Sequence, residues 1–216
     1  KKIPKPLIKV DNKPILYWIL RWLNYSDIKN IILCVAYKRR CFLDFVKNTK
    51  INLNICFSKH SVNDTNSIAI KKALKRFKLE DENVLVINGD TIANINIKKF
   101  YQFHKKHNPL ISMGITSLLT NAGVVETCDN RIKSFREKPI IKTVKINTGY
   151  YIFNQKVIKL LDDKKFEHSL FPNLVREKNL YAYEHNELWY TFDTYNDLIG
   201  FENLKTKWND FTKILN

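Results

Sequence analysis

The sequence has little glycine, few cysteines and no long uninterrupted apolar stretch. None of its apolar runs reaches the roughly 18 residues that a membrane-spanning helix needs. The four cysteines, Cys34, Cys41, Cys56 and Cys128, show no zinc-site spacing, which excludes a cysteine-based zinc centre. Cys34 and Cys56 fall within apolar runs, which predicts two buried thiols in a reducing, cytoplasmic setting.

Glycine occurs at only five of the 216 positions. In so glycine-poor a chain, a glycine that remains indicates a conformational need of the backbone. The five are Gly89, Gly114, Gly123, Gly149 and Gly200. Three of them fall within the motifs described below.

Positive charge is abundant, because 37 Lys and Arg residues stand against 21 Asp and Glu, a formal net charge of +16. Such a charge suits nucleic acid, an anionic membrane surface or phosphorylated small molecules. The lysines are dispersed along the chain among many Ile and Asn residues, so the charge alone does not indicate a nucleic-acid-binding protein. Since 44% of the residues are hydrophobic, the chain can bury a core.

The first half of the chain predicts strands and helices in alternation. Pro14 opens an amphipathic helix that ends near Tyr25. Apolar runs predict strands at 31–37, 51–57 and 84–87, and helices are predicted at 38–47, 66–78 and 97–107. This alternation predicts an α/β fold with a doubly wound, mostly parallel, Rossmann-like sheet.

The second half is predicted to extend that sheet in a mixed or antiparallel manner. Its strands are expected at 110–116, 123–127, 131–137 and 145–153, joined by short links. Helices are expected at 155–163 and 166–178, then strands at 181–183 and 189–192, then a last helix from about residue 195. Because no repeat or linker is evident, we predict a single domain over residues 1–216.

Two aspartates follow apolar strands. The run 84–87 leads into Asn88-Gly89-Asp90, and the run 189–192 leads into Asp193. Ligands bind at the carboxyl ends of strands in open α/β sheets, and Mg²⁺ prefers one or two carboxylates together with substrate phosphates. The two side chains could therefore form a metal clamp over phosphates. The residues alone equally allow each aspartate to cap a following helix.

Two basic segments are further candidates for binding. In the segment 135–139, Glu137 and Lys138 stand side by side at the end of a strand, where the lysine suits a phosphate and the carboxylate a sugar hydroxyl. Lys5 lies between Pro4 and Pro6, which presents its side chain rigidly. Taken one at a time, an exposed charge pair and a basic loop explain these segments better than a binding site does.

In order and spacing, the motifs together resemble the sugar-phosphate nucleotidyltransferase family, the NDP-sugar pyrophosphorylases, and in particular its short single-domain branch. The resemblance extends from Lys5 to about Leu204. The motifs that carry it are Lys5-Pro6-Leu7, Lys13-Pro14-Ile15-Leu16, Gly89-Asp90, Gly123-Val124-Val125-Glu126, the segment 135–139, Asn147-Thr148-Gly149-Tyr150-Tyr151, and Asp193 with the segment 194–198.

The resemblance implies a Mg²⁺-dependent reaction in which a nucleoside triphosphate and a sugar 1-phosphate give an NDP-sugar and pyrophosphate. It implies that Asp90 and Asp193 hold Mg²⁺, that Lys5 contacts the triphosphate and that Lys138 contacts the sugar phosphate. Further substrate contacts are implied for Gly89, Gly123, Glu137, Asn147 and Asn66. The expected partners are these two small molecules, not nucleic acid or a membrane, and the homo-oligomeric state is left open.

Two departures from the family pattern keep alternatives open. The family's first strand and its Gly-rich phosphate loop are expected before Lys1. The Gly-rich turn that contacts the base corresponds to residues 63–70, which include Asn66 and contain no glycine. A phosphocholine-type cytidylyltransferase and a non-catalytic, nucleotide-sugar-binding homologue are therefore the alternative functions.

Overall fold

The computed structural model describes residues 3–77, 82–120, 122–192 and 201–215. Its α-helices are α1 (Ile15–Tyr25), α2 (Arg39–Asn48), α3 (Asn66–Phe77), α4 (Ile97–His107), α5 (Leu170–Arg176) and α6 (Lys205–Leu215). Short 3₁₀ turns cover Lys5–Leu7, Gln155–Lys159 and Phe201–Leu204. No helix among the described residues is both long and apolar enough to cross a membrane.

The strands form a central mixed sheet and several strand pairs. They are β1 (Lys9–Val10), β2 (Lys13–Pro14), β3 (Asn30–Val35), β4 (Asn54–Lys59), β5 (Asn83–Ile87), β6 (Thr91–Ala93), β7 (Ile111–Leu119), β8 (Val124–Cys128), β9 (Arg131–Arg136), β10 (Ile140–Asn154), β11 (Leu180–Glu184) and β12 (Trp189–Thr191). The central order is β11-β7-β10-β5, with β10 antiparallel to both neighbours and β11 parallel to β7. The first-half pair β3-β4 is parallel, whereas β6-β12 and β8-β9 are antiparallel.

The structure confirms the predicted α/β, Rossmann-like architecture with a mixed second half. The largest differences lie in the predicted helices 155–163 and 166–178, which are a 3₁₀ turn and the short helix α5. The intervening loop is held by side chains, since the Asn66 Oδ1 accepts a hydrogen bond from the Phe166 N–H at 3.2 Å. Phe166 is buried and packs against Tyr151 and Phe171, and the regular helix begins only at Leu170.

The predicted burial is wrong for Cys56, which is exposed; Cys34 is also exposed as a residue, but its Sγ lies 3.9 Å from the Ala69 carbonyl and burial raises the pKa of its thiol to about 11. Odd-numbered positions of β3, such as Leu33 and Val35, pack into the cluster that α1 and α2 cover. Side chains alternate along a strand, so the cysteines fall on the opposite face. A continuous apolar run cannot reveal that one face of a strand is only partly covered.

Helix α1 is buried between two apolar clusters, which fixes the strands around the candidate site. Trp18 and Trp22 pack against aromatic side chains of α6, while Leu16 and Leu20 face β3 and α2. The indole nitrogen of Trp22 donates to the Ile95 carbonyl at 3.1 Å, just beyond β6. Burial of four large side chains stabilises this arrangement by roughly 1.5–3 kcal/mol for each.

His104 of α4 is a buried histidine with both ring nitrogens bonded. Its Nε2 lies 3.0 Å from the Asn83 Oδ1 and its Nδ1 lies 2.9 Å from the Ser112 Oγ. Because the amide oxygen only accepts, Nε2 carries the proton and Nδ1 accepts from the serine hydroxyl. Desolvation by burial lowers the pKa of His104 below its ordinary value of 6.5, against the weaker opposing charge of Glu82.

We expect this histidine to make stability depend on pH. A lowered folded-state pKa means that its contribution is present above about pH 6.5 and is lost as the pH falls through the folded pKa. His104→Gln keeps a polar side chain but does not titrate. In urea denaturation, its free energy of unfolding should therefore fall less between pH 7.5 and pH 5.5 than that of the wild type. His168→Gln, at an exposed position, is the control. If the free energy of unfolding of His104→Gln fell as much between these pH values as that of the wild type, His104 would not be the source of the pH dependence.

Candidate active site

The candidate site lies at the carboxyl end of β5, in the segment Asn88-Gly89-Asp90. The Asn88 N–H donates to the Gly149 carbonyl at 2.8 Å, which extends the antiparallel pairing of β5 with β10. Asp90 is followed directly by the strand β6, and α4 is capped instead by the Asn96 side chain, which accepts from the Lys99 N–H. The helix-cap explanation of Asp90 is therefore wrong.

Gly149 allows β10 to approach Asn88 closely. Its φ is +76°, a conformation that side chains rarely adopt. A Cβ atom at this position would lie 2.8 Å from the Asn88 Nδ2 and 3.0 Å from the Asn88 Cβ. The glycine is therefore required both by its backbone angle and by the lack of space.

Gly149→Ala is expected to destabilise the protein by more than about 1 kcal/mol, because the left-handed angle and the contact with Asn88 act together. Gly89→Ala is the matched comparison: a Cβ there would meet only the Pro6 ring, with the Cγ at 3.2 Å and the Cβ at 3.7 Å. Urea denaturation of the two variants measures the difference. Equal stability of both variants would contradict this account of Gly149.

The Lys5–Leu7 turn lies beside the end of β5. The close approach of the Pro6 ring to Gly89 places this basic turn next to Asp90 in the structure. Lys5 itself is exposed on the turn. The structure therefore brings together two segments that are more than 80 positions apart in the sequence.

The end of β12 reaches the same place. Thr191 pairs with Thr91, and the Phe192 N–H donates to the Asp90 carbonyl at 3.1 Å. Asp193 follows Phe192 in the chain but lies outside the described residues. The Asp90 carboxylate is half-buried, and its Oδ1 lies 3.5 Å from the Thr91 Oγ1.

The residues Gly123, Glu137 and Lys138 lie at the base of the β8-β9 hairpin. A Cβ on Gly123 would meet the Phe135 ring at 2.6 Å and the Glu137 Oε2 at 3.2 Å, so the glycine and the carboxylate are neighbours. The Lys138 Nζ lies 3.9 Å from the Glu137 Oε1, and both side chains are exposed. Lys138 has a φ of +44° directly before Pro139, an unusual backbone conformation for a lysine.

Asn147 is held in place by its own strand. Its Nδ2 donates to the Tyr151 hydroxyl at 2.6 Å, and its Oδ1 accepts from the Gly149 N–H at 2.9 Å. Sequence reasoning did not assign a role to Tyr151 or Asn88. A signal for the tyrosine existed, since Tyr151 closes the same motif that Asn147 opens.

The contacts of Asn66 are structural. Its Nδ2 donates to both oxygens of Glu167, at 3.1 and 2.9 Å, and its Oδ1 accepts from the Ser67 and Phe166 N–H groups. These bonds tie the start of α3 to the loop before α5. The amide is thus occupied by protein partners, in contrast to the exposed Glu137 and Lys138.

Within the part of the chain that the structure describes, no three His, Cys, Asp or Glu side chains form a group that could hold a metal ion. Mg²⁺ does not need such a cage, because one or two carboxylates and substrate phosphates suffice. Asp90 offers one carboxylate beside the exposed Lys5 turn. This donor set fits Mg²⁺ bound together with a phosphorylated substrate.

Known proteins resemble this chain over nearly its whole length. The nucleotidyl transferase family matches residues 1–211. The glucose-1-phosphate cytidylyltransferase of Salmonella typhimurium is 26% identical over 227 residues, which cover 94% of this chain and 88% of that protein. The D-glycero-alpha-D-manno-heptose 1-phosphate guanylyltransferase of Aneurinibacillus thermoaerophilus is 29% identical over 187 residues, covering 84% and 80% respectively.

Solved structures also match this chain over most of its length. HddC from Yersinia pseudotuberculosis, complexed with GMP-PN, matches with a TM-score of 0.73 at 25% identity, covering 93% of this chain and 89% of its own. A UDP-glucose pyrophosphorylase complexed with UDP-glucose shares the fold, with a TM-score of 0.70 at 15% identity. Because the family model matches residues 1–211, nearly the whole chain, the protein belongs to the nucleotidyl transferase family and is a nucleotidyltransferase.

Proposed function

We propose that the protein transfers a nucleotidyl group from a nucleoside triphosphate to a sugar 1-phosphate, giving an NDP-sugar and pyrophosphate. The observation that carries the proposal is that the Lys5–Leu7 turn, Gly149 and the end of β12 all contact the segment Asn88-Gly89-Asp90. The names of the two relatives, a glucose-1-phosphate and a heptose 1-phosphate nucleotidyltransferase, support a sugar phosphate as acceptor.

In the proposed reaction, a phosphate oxygen of the sugar 1-phosphate attacks the α-phosphorus of the triphosphate. The new oxygen–phosphorus bond forms as the bond from the α-phosphorus to the bridging oxygen breaks, and pyrophosphate leaves with the electron pair. The protein positions the two substrates and stabilises the charge that develops between them. Lys5 contacts the triphosphate, while Lys138 contacts the acceptor phosphate.

The remaining site residues would orient the acceptor. Glu137, beside Gly123, accepts hydrogen bonds from sugar hydroxyls, and Asn147 has one amide hydrogen left for the same purpose after binding Tyr151. Gly89 leaves room for substrate beside the Lys5 turn. Asn66 would act indirectly, by holding the start of α3.

Asp90 and Asp193 would hold Mg²⁺. When bound, the ion supplies charge neutralisation for the phosphate oxygens. The support comes from β12, whose end is joined to the Asp90 backbone one residue before Asp193. Mg²⁺ binding to the protein with a non-hydrolysable triphosphate, measured calorimetrically, tests this without turnover. Equal binding by wild type and Asp90→Asn would overturn it.

We further propose that a strand with a Gly-rich loop completes the domain between β3 and β5. In the described part of the chain, β3 pairs only with β4, and β5 pairs only with β10. Ile31, Leu85 and Ile87 pack against the same apolar cluster, so the two unpaired edges lie along one layer. Unpaired backbone groups on two such strands are costly unless another strand bonds to them.

Intact mass of the natural protein tests this completion. One strand and a loop of about 20 residues would add about 2 kDa to the 25.6 kDa of the 216 residues. A natural protein of 25.6 kDa that unfolds cooperatively would contradict the proposal. The reaction itself would then need a different source of phosphate-binding N–H groups.

The reaction is tested by measuring pyrophosphate release from four nucleoside triphosphates against a panel of phosphorylated acceptors. We expect release with at least one sugar 1-phosphate. The panel includes phosphocholine, because pyrophosphate release with this acceptor would indicate a phosphocholine-type cytidylyltransferase. Binding of nucleotide sugars without release for any pair would favour a non-catalytic homologue.

We also propose a reducing, cytoplasmic location. All four cysteines are free, and the thiols of Cys41, Cys56 and Cys128 belong to exposed residues, which an oxidising compartment would tend to pair. Fractionation of the native cells tests it, and recovery of the protein from an extracellular or periplasmic fraction would contradict it.

A further inference from the structure

A cavity lies at the carboxyl ends of β7 and β11, between them, the start of β10, β12 and α6. Its volume is about 390 Å³, within the range of sites for small molecules. None of the residues assigned above to nucleotidyl transfer lines it, so far as the described residues extend. The cavity therefore has a lining of its own, distinct from the residues assigned to the site at Asp90.

The cations in this cavity are all lysines: Lys142, Lys145 and Lys207. Lys207 is held by the carbonyl oxygens of Asn186 and Glu187, at 3.2 and 3.3 Å. An ammonium group has three N–H donors, so two are used for positioning and one remains. Lys145 is likewise fixed, because its Nζ lies 3.2 Å from the Ser117 Oγ and pairs with Glu184.

The kind of cation indicates the kind of anion. Arginine matches planar carboxylates by its fork of donors, whereas lysine acts as a point charge suited to phosphate. Two glutamates, Glu184 and Glu187, also line the cavity, and their oxygens accept hydrogen bonds from hydroxyl groups. The half-buried Trp189 offers an apolar surface for the carbon skeleton.

We propose that this cavity binds a polyhydroxylated organic phosphate at a position distinct from the transfer site. The lysines contact the phosphate, the glutamates contact the hydroxyl groups, and Trp189 covers the apolar face. The Trp189 Nε1 donates to the Thr148 carbonyl at 2.9 Å, so this indole separates the cavity from the backbone between Asn147 and Gly149. The bound molecule lies behind the transfer site and is not the acceptor.

Glucose 6-phosphate is a suitable probe, because it is polyhydroxylated but carries no phosphate at the anomeric carbon. Calorimetry should give saturable binding to the wild type, whereas glucose and gluconate, which lack phosphate, should not bind. Inorganic phosphate should bind more weakly than the ester. Trp189→Phe should remove the change in tryptophan fluorescence that accompanies binding.

The double variant Lys142→Ala/Lys207→Ala should weaken binding by roughly tenfold or more, since two charge-assisted contacts are lost. Lys47→Ala/Lys213→Ala removes two exposed lysines elsewhere and should bind as the wild type does. Asp90→Asn should also bind normally, which separates this proposal from the proposed reaction. Absence of binding, equal binding of gluconate, or loss of binding in Asp90→Asn but not in the lysine pair would overturn it.

Discussion

Asp90→Asn is expected to lower turnover by roughly two to four orders of magnitude, because several kcal/mol of charge stabilisation disappear with the metal. The amide is nearly isosteric with the carboxylate, and the bond that joins this residue to β12 is made by its backbone carbonyl. The fold should therefore survive the change. Initial rates of pyrophosphate release across a range of Mg²⁺ concentrations measure the effect.

Asp210→Asn is the matched control, since it makes the same chemical change at an exposed position on α6. Its turnover and Mg²⁺ dependence should equal those of the wild type. Asp193→Asn should behave as Asp90→Asn does. If both variants retained near-normal Mg²⁺-dependent turnover, the assignment of these carboxylates to the metal would be wrong.

The position of Asp90 could be predicted because the signal is local. An apolar run ending in Gly-Asp places a carboxylate at the end of a buried strand, and the edge where ligands bind follows from the α/β order. The structure adds that the next element is β6, which removes the helix-cap alternative. That distinction depends on Thr91–Ala93 pairing with β12, about 100 residues later in the chain.

Contacts between distant segments could not be predicted from the sequence. The approach of Pro6 to Gly89 and of Gly149 to Asn88 depends on strand register, which one residue of slip would change entirely. The motif order nevertheless identified both glycines as positions with a special need. The sequence does not reveal the neighbour for which each glycine leaves room, which is Pro6 at Gly89 and Asn88 at Gly149.

The loop before α5 illustrates a different limit. The sequence predicts helices over 155–163 and 166–178, but Phe166 is buried in a tertiary cluster, and its N–H donates to Asn66 from the other half of the chain. Tertiary contacts such as the burial of Phe166 can override local helix propensity. Hydrogen bonds to protein groups also occupy the Asn66 amide, which was predicted to contact substrate.

Lys138→Ala is expected to raise the KM for the phosphorylated acceptor by about ten- to a hundredfold, with a smaller change for the triphosphate. A hydrogen bond to a charged group contributes roughly 1.5–3 kcal/mol, and it is lost with the ammonium group. The exposed Lys138 side chain stands beside Glu137. Rates measured while each substrate is varied in turn separate the two KM values.

The backbone of Lys138 requires a second comparison, because its φ of +44° could itself position the hairpin base. Lys138→Gly relieves the angle, and Lys138→Asn keeps a polar residue that tolerates it, while neither carries charge. If the charge matters, all three variants raise the acceptor KM alike, and Lys133→Ala on β9 changes nothing. A rise that is equal for both substrates, or one confined to the alanine variant, would mean that Lys138 acts through the backbone and does not bind the acceptor phosphate.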